Sequence, residues 1–313
     1  MMKIYKTELE TGVLNSLETI EPNCWIELVQ PTLEESKLVC EKTGIDHRLI
    51  SKVLDESELS RVEVEGEATL IVLNIPYLVD RSRKNKYRTL PLGIIHTNQY
   101  IVTVLLKENK LFEDFENGNV REFFTQKKTR FTIQLLLRIS QGYLMGLDEM
   151  NKDIQRQEHI LAKATKNQEL IEMLNIEKSL VYFMGGLKYN QATLEKLAKG
   201  TIIPFYEEDL ELLEDAMIES NQAVEMANIY KEIMSSTTET YASIISNNLN
   251  VLMKFLAGIT IVFSIPTMIA SFMGMNVPLG DFATNPASFF ILALISLGLA
   301  LLIAYWLKKK DML

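Results

Sequence analysis

Between Lys254 and Asp281 the chain carries no charged residue, and between Asp281 and Lys308 it again carries none. Each run is long enough to cross roughly 30 Å of hydrocarbon, where a backbone must satisfy its own polar groups, so both runs are expected to be helices. Together they form a transmembrane hairpin. The stretch from Val277 to Pro286 between them holds two prolines and a glycine, the breakers of a short exposed turn. Lys254 opens the first span and Lys308, Lys309 and Lys310 follow the second, so the positive-inside bias assigns both of those ends to the cytoplasm. The turn, with its one acid Asp281, and the triplet Gly274-Met275-Asn276 at the end of the first span then face outside.

The N-terminus, Met-Met-Lys-Ile-Tyr-Lys, lacks the apolar core of a signal peptide, so the region before the first span is expected in the cytosol. Cys24 and Cys40 fit that reducing compartment and have no metal-site spacing. His47, His96 and His159 are scattered, which argues against a zinc or catalytic cluster. There is no phosphate-cradling glycine motif, so an ATP-driven pump is disfavoured and transport, if any, is passive. A basic stretch, Arg81, Arg83, Lys84, Lys86 and Arg88, lies between two strand-like runs. In a chain of net charge −9 it reads as a solvated hairpin tip, and no nucleic-acid partner is expected.

Residues 1–124 read as an α/β cytoplasmic domain. The runs 69–79, 92–96 and 100–106 are rich in β-branched residues, and Thr32 with Glu35 forms a capping-box signature for a helix that Gly44 stops. From about Thr125 the texture becomes helical, giving a cytoplasmic helical pair over 125–205 whose second member Gly200 caps. Residues 206–273 read as one long stalk helix, its membrane part about 252–273, followed by an outer loop over 274–287, a second span over 288–307 and a basic tail over 308–313. Such a stalk is about 100 Å long and cannot be stable alone in water, so it must pack on the preceding helices or on copies of itself. Ten acids, from Glu207 to Glu239 and including Asp209 and Asp215, stand against the single base Lys231. Any one is read as a solvated face; concentrated in symmetry-related copies they call for hard divalent counter-ions.

In the first span Thr260, Ser264, Thr267 and Ser271 recur at intervals of four, three and four, on one helical stripe. Met253 and Ala257 extend it inward and Gly274 outward, while Phe255, Val262, Ile265 and Ile269 occupy the opposite face. By spacing alone such a stripe serves pore lining and helix packing equally. Two spans cannot enclose a water path, so a pore would need several chains around an axis.

Met253-Lys254, an apolar run with Pro266, the sequence Ile269 to Asn276, and a second span ending Tyr305-Trp306-Leu307-Lys308-Lys309-Lys310 closely resemble the CorA family of magnesium transporters. Leu54-Asp55 and Arg61-Val62-Glu63-Val64-Glu65 resemble its N-terminal domain, so the likeness spans essentially the whole chain. The resemblance implies a funnel-shaped homopentamer in the cell membrane, five first spans lining the pore, and no enzyme activity or cofactor. It implies that Gly274, Met275 and Asn276 ring the entrance, where neutral oxygens bind a hydrated ion without stripping its water. Below them Ser271, Thr267, Ser264 and Thr260 would add outer-shell hydrogen bonds, and Met253 and Leu256 would form an apolar gate. Asn250 matches a polar position at the inner mouth.

Three positions depart from the family pattern. Met273 stands where an aromatic residue is usual, and Asp281 is the lone acid of an outer turn where many relatives have a glutamate after Met-Pro. In relatives that sense internal magnesium, an N-terminal-domain acid faces a stalk acid of a neighbouring subunit. Asp215 matches the stalk acid, but Lys52 occupies the partner position, which would replace an ion-bridged contact by a salt bridge. The resulting expectation is a passive, potential-driven magnesium channel with cobalt and nickel as further ions. A zinc-preferring relative and a non-conducting membrane-anchored scaffold are the alternatives, and Met275 speaks against zinc.

Overall fold

The computed structural model describes residues 1–79, 87–161, 168–275 and 287–310. Strands β1 (Met2–Thr7), β2 (Leu14–Ser16) and β3 (Trp25–Val29) precede helices α1 (Leu33–Thr43) and α2 (His47–Val53). Strands β4 (Arg61–Glu65), β5 (Ala68–Leu78), β6 (Tyr87–His96) and β7 (Ile101–Leu105) follow. They form one sheet in the order β2-β1-β3-β7-β6-β5-β4, antiparallel throughout except where β7 runs parallel to β3. A parallel pair needs a crossover. Here α1, α2 and the β4–β6 meander supply it.

Alternation along β3 shows how the sheet gains two buried faces. Ile26 and Leu28 enter a core with Val39, Leu49, Ile50 and Val53 from α1 and α2. Trp25 points the other way, its ring 5.2 Å from Phe112 and 5.1 Å from Phe131, with its indole N–H donating to Thr103 Oγ1 at 2.8 Å. Helix α1 opens on the expected capping box. Glu35 N–H donates to Thr32 Oγ1 at 3.1 Å, the Glu35 carboxylate accepts from Thr32 N–H at 2.8 Å, and Gly44 ends the helix in the left-handed region.

Helices α3 (Glu113–Glu116), α4 (Lys128–Leu161), α5 (Gln168–Ala198), α6 (Leu210–Met273) and α7 (Ala287–Lys309) complete the chain. The long helices α4 and α5 pack on β5 and β6, making the third layer. Gly200, at φ 68°, closes α5 with its N–H on Leu197 O at 2.9 Å, as its sequence position indicated. One sequence expectation is refined: β6 begins at Tyr87, so Arg88 is exposed as expected but belongs to a strand and lies 5.8 Å from the Tyr182 ring. Packing a long aliphatic stem and a flat cation on a tyrosine favours that placement. Arg81, Arg83, Lys84 and Lys86 lie outside the described residues.

The chain divides into two compact units, Met1–Thr238 and Glu239–Leu313, and α6 contributes residues to both. Helix α6 runs for 64 residues as one element, with Pro266 inside it. The proline ring has no N–H to give, so it leaves the carbonyl one turn before it without its usual donor.

Candidate ion pathway

Helices α6 and α7 are both long and apolar enough to span a membrane, and only 6% and 11% of their most apolar windows are buried. A core helix of a soluble domain would be covered. These are not, and lipid or further protein must cover them.

Along α6 the face opposite the stripe is the more covered one, except at Phe255, which is 45% exposed. Gly258, Ile259, Val262, Ile265, Pro266 and Ile269 are buried or half-buried, whereas Thr260, Ser264, Thr267 and Ser271 are exposed. At about 100° per residue, Asn250, Met253, Leu256, Ala257, the four hydroxyl residues and Gly274 share an arc of about 120°. All of them are exposed in the single chain. A shallow groove follows the arc, lined by Thr260, Ser264, Thr267 and Ser271 with Phe263 and Met268 beside them.

The hydroxyls of this stripe have a defined polarity. Thr260 Oγ1 donates to Leu256 O at 2.8 Å, Ser264 Oγ to Ile261 O at 2.8 Å and Thr267 Oγ1 to Phe263 O at 2.9 Å. Each hydroxyl proton is spent on the helix's own backbone, so the oxygen offers only lone pairs to whatever approaches. The water shell of a hydrated cation presents hydrogens outward. A column of acceptors matches it.

Helix α6 ends at the triplet. Gly274 N–H reaches Ala270 O at 3.0 Å and Ser271 O at 3.2 Å, and Met275 N–H reaches Phe272 O at 3.4 Å. Gly274 does not adopt a left-handed φ, and a Cβ there would meet nothing closer than Ala270 O at 3.5 Å, so the single chain does not require glycine. Asn276 and Asp281 lie outside the described residues. Met273 is the last residue of α6 and is 37% exposed, so no aromatic-sized packing role falls to it within the chain. Among the described residues no three His, Cys, Asp or Glu side chains converge as metal ligands.

In the Met1–Thr238 unit the acidic stretch is not uniformly solvated, which corrects the reading of Asp209. Asp209 is 1% exposed and its Oδ1 accepts from Arg130 Nη1 at 2.9 Å. Glu208 pairs with Lys127 at 2.7 Å, and that ammonium holds its carboxyl below the usual range. Asp215 remains exposed on α6. Lys52 is not idle: its ammonium pairs with Glu63 on β4, which depresses the Glu63 carboxyl. Among the described residues no ion pair joins Lys52 to Asp215 within the chain. The contact raised by the sequence is one between chains.

His96 and His47 serve the fold, and the His159 side chain lies outside what the structure describes. His96 is buried, bonds Thr132 Oγ1 at 2.7 Å, and is pushed down to about 4 by burial and then by Lys128; His47 Nδ1 lies 3.0 Å from Ser51 Oγ. Both cysteines are free. Sequence reading missed a buried charged cluster at Glu27, Lys3, Glu116 and Tyr5. Its one visible signal is a glutamate at a core position of the run Trp25-Ile26-Glu27-Leu28-Val29, where Glu27 is 4% exposed.

With these features in place, comparison with known proteins is decisive. A sequence model of the CorA-like Mg2+ transporter protein family matches residues 21–309. The chain belongs to that family. It is a family of transporters, not enzymes, and membership supports magnesium transport. The cobalt/magnesium transport protein CorA of Methanocaldococcus jannaschii is 24% identical over 295 residues, covering 91% of this chain and 90% of that protein. The complete structure of that organism's CorA magnesium transporter superposes with a TM-score of 0.81 at 23% identity, over 97% of this chain and 96% of that one. Full-length CmaX gives 0.69 at 16% identity over 100% and 97%. The ZntB cytoplasmic domain from Vibrio parahaemolyticus gives 0.59 at 9% identity over 79% and 97%. At these identities the structural likenesses establish the fold alone.

Proposed function

We propose that this CorA-family chain assembles as a homopentamer and forms a passive magnesium channel, with the α6 stripe lining the pore and Gly274, Met275 and Asn276 ringing its outer entrance. One observation carries the reading. The exposed stripe presents acceptor oxygens from Thr260, Ser264 and Thr267, each with its proton already committed to a backbone carbonyl. Magnesium dehydrates reluctantly, so a column of neutral acceptors suits an ion that keeps its water shell. A ring of carboxylates would bind too tightly to release it. Met253 and Leu256, 67% and 58% exposed, supply the apolar constriction nearer the inner end, with Asn250 at the mouth.

Support for assembly comes from the α6 residues before the span. Ile229, Ile233 and Ile244 are between 40% and 54% exposed, an apolar row on one face of the helix that copies of the chain would cover. With both termini in the cytoplasm, the membrane potential drives a divalent ion inward by about 4.6 kcal/mol per 100 mV, twice the single-charge value. Cobalt and nickel share the hydrated-ion chemistry and are further candidates.

The test is uptake by purified protein in liposomes with an imposed inside-negative potential, with magnesium, cobalt, nickel and zinc offered separately. Potential-dependent magnesium entry without ATP is expected. Zinc entering in preference to magnesium would move the protein to the zinc-transporting alternative. No flux of any metal from correctly assembled protein would leave the scaffold reading.

A further inference from the structure

A recess of about 340 Å³ opens in the Met1–Thr238 unit between α5 and the β5–β6 pair. Its walls include Tyr77 from β5 and Tyr182 and Tyr189 from α5. Tyr182 and Tyr189 are 45% and 42% exposed. Among the described residues none of the three rings contacts another aromatic ring. Two cations join them. Arg88 sits across the ladder from Tyr77 with its guanidinium 5.8 Å from the Tyr182 ring, and Lys107 Nζ lies 5.4 Å from the Tyr77 ring. Lys107 also pairs with Glu56 at 3.1 Å, a half-exposed contact that an incoming anion can displace.

The floor is Gly185 and Gly186, and the two glycines differ in purpose. A Cβ on Gly186 would lie 2.3 Å from Tyr143 Oη and 2.9 Å from Thr89 Cγ2, so that glycine lets α5 approach the sheet. A Cβ on Gly185 would meet nothing within 4 Å, so that glycine faces open space. The walls are fixed to each other. Asn190 Nδ2 donates to Asn74 O at 2.7 Å, Asn74 N–H to Asn190 Oδ1 at 2.8 Å, and Tyr143 Oη to Asn74 O at 2.9 Å, all buried. A recess held this way is preformed, and binding there costs little ordering.

The geometry points to a binding site for a mononucleotide, its base stacked on the tyrosines and its phosphate between Arg88 and Lys107. Tyrosine faces accept any planar base without reading its edge. A guanidinium and an ammonium in the same recess suit a phosphate, against two lining carboxylates, Glu56 and Glu58, that are already paired with Lys107 and Arg61. An aliphatic anion would leave the rings unused, and a neutral aromatic would leave the cations unused. The volume lies at the small end of ligand pockets, which suits one base, sugar and phosphate and excludes a polymer. The site is separate from the ion pathway and does not depend on it.

Isothermal titration calorimetry of the full-length protein in detergent, without magnesium, tests the site with AMP as probe. Saturable binding at one site per chain is expected. Arg88→Ala and Lys107→Ala should each weaken it at least about tenfold, as should offering adenosine or inorganic phosphate alone. Gly185→Leu, whose Cβ would meet nothing within 4 Å and whose longer side chain would occupy the recess, should abolish binding with the melting temperature unchanged. Absence of saturable heat at millimolar AMP overturns the site, as does unchanged affinity in both Arg88→Ala and Lys107→Ala. Phosphate binding as tightly as AMP would leave a plain anion site and overturn the stacking half.

Discussion

Arg130 Nη1 lies 2.9 Å from Asp209 Oδ1, and this contact fastens the first turn of α4 to the turn that begins α6. The side chains are 13% and 2% exposed, so little water screens the pair. The guanidinium also reaches Glu208 O at 3.2 Å and Glu122 Oε2 at 2.5 Å. A single arginine therefore gathers three points of the chain where the sheet-packed helices hand over to the long helix.

Removing that arginine strands a buried carboxylate. Breaking a buried pair from one side costs about 3 kcal/mol or more, whereas replacing both partners by apolar groups is close to neutral. Arg130→Ala should lower the melting temperature of the solubilised protein on the order of 8 °C. The double variant Arg130→Met, Asp209→Leu should recover most of it. Equal loss in both variants would mean that packing volume, not the stranded charge, sets the cost.

Glu27 is expected to make stability fall as pH rises. Burial pushes its carboxyl up to about 7, against the opposing pull of Lys3, whose Nζ is 3.7 Å away, and with Glu116 reinforcing the rise. Between the ordinary glutamate value and about 7 the folded chain keeps a proton that the unfolded chain has lost, so raising pH through that window removes stability, and above it the effect is constant. Glu116 acts in a different window. Burial opposes its charge, but hydrogen bonds from Lys3 and Tyr5, both 2.6 Å, outweigh that and hold it below the ordinary value. Its stabilisation is lost only in more acidic solution. Melting curves from pH 5 to 8 should slope downward in the wild type and flatten in Glu27→Gln, with the variant the more stable at pH 8. A parallel slope in both proteins would assign the effect elsewhere.

These two clusters mark what the sequence could and could not disclose. The capping box at Thr32 and Glu35, the stop at Gly44, the strand runs and the helical stripe of α6 are local, carried by residues within four or so positions of each other. Glu27 and Asp209 are different. Glu116 lies 113 residues from Lys3 and Asp209 lies 79 from Arg130, so only the assembled layers decide that these charges are buried and paired. In sequence Asp209 is one of ten acids between Glu207 and Glu239 and looks solvated like the rest. Strand β3 was likewise hidden, because Glu27 interrupts an otherwise apolar run.

At the proposed outer entrance, Asn276→Ala should cut magnesium flux below about a tenth of wild type without affecting assembly, because it removes only the side-chain amide and its outer-shell hydrogen bonds. Gly274→Ala sharpens the test. A Cβ there has no contact closer than 3.5 Å in the single chain, so loss of flux in a protein that still assembles reports crowding in the ring. Wild-type flux from both variants would remove the triplet from the pathway.

The stripe can be mapped by cysteine accessibility in a background lacking Cys24 and Cys40. Cysteines at Thr260, Ser264, Thr267 and Ser271 should react with membrane-impermeant thiol reagents in conducting channels, and those at Val262 and Ile269 should stay at least about tenfold slower, being on the opposite helical face. Equal rates on both faces would favour packing as the role of the stripe.

Lys52 bears on regulation. The proposed inter-chain site would set it against Asp215 of a neighbouring copy, where an ammonium competes with a divalent ion for the carboxylate oxygens and repels it. The local acids offer no ready substitute: Asp55 Oδ1 accepts from Ser57 N–H at 2.9 Å and from Ser57 Oγ at 2.6 Å, Glu56 holds Lys107 at 3.1 Å, and Glu63 holds Lys52 itself. Lys52→Asp should therefore set a new carboxylate beside Glu63, which would keep only Arg61 as its partner at 3.2 Å, and so favour a hard cation there. Limited proteolysis with and without magnesium reads this out. Magnesium should protect the Lys52→Asp protein several-fold more than the wild type, and Asp215→Asn in the same protein should cancel the gain. Full protection already present in the wild type and unchanged by Lys52→Asp would place ion sensing on other acids of α6.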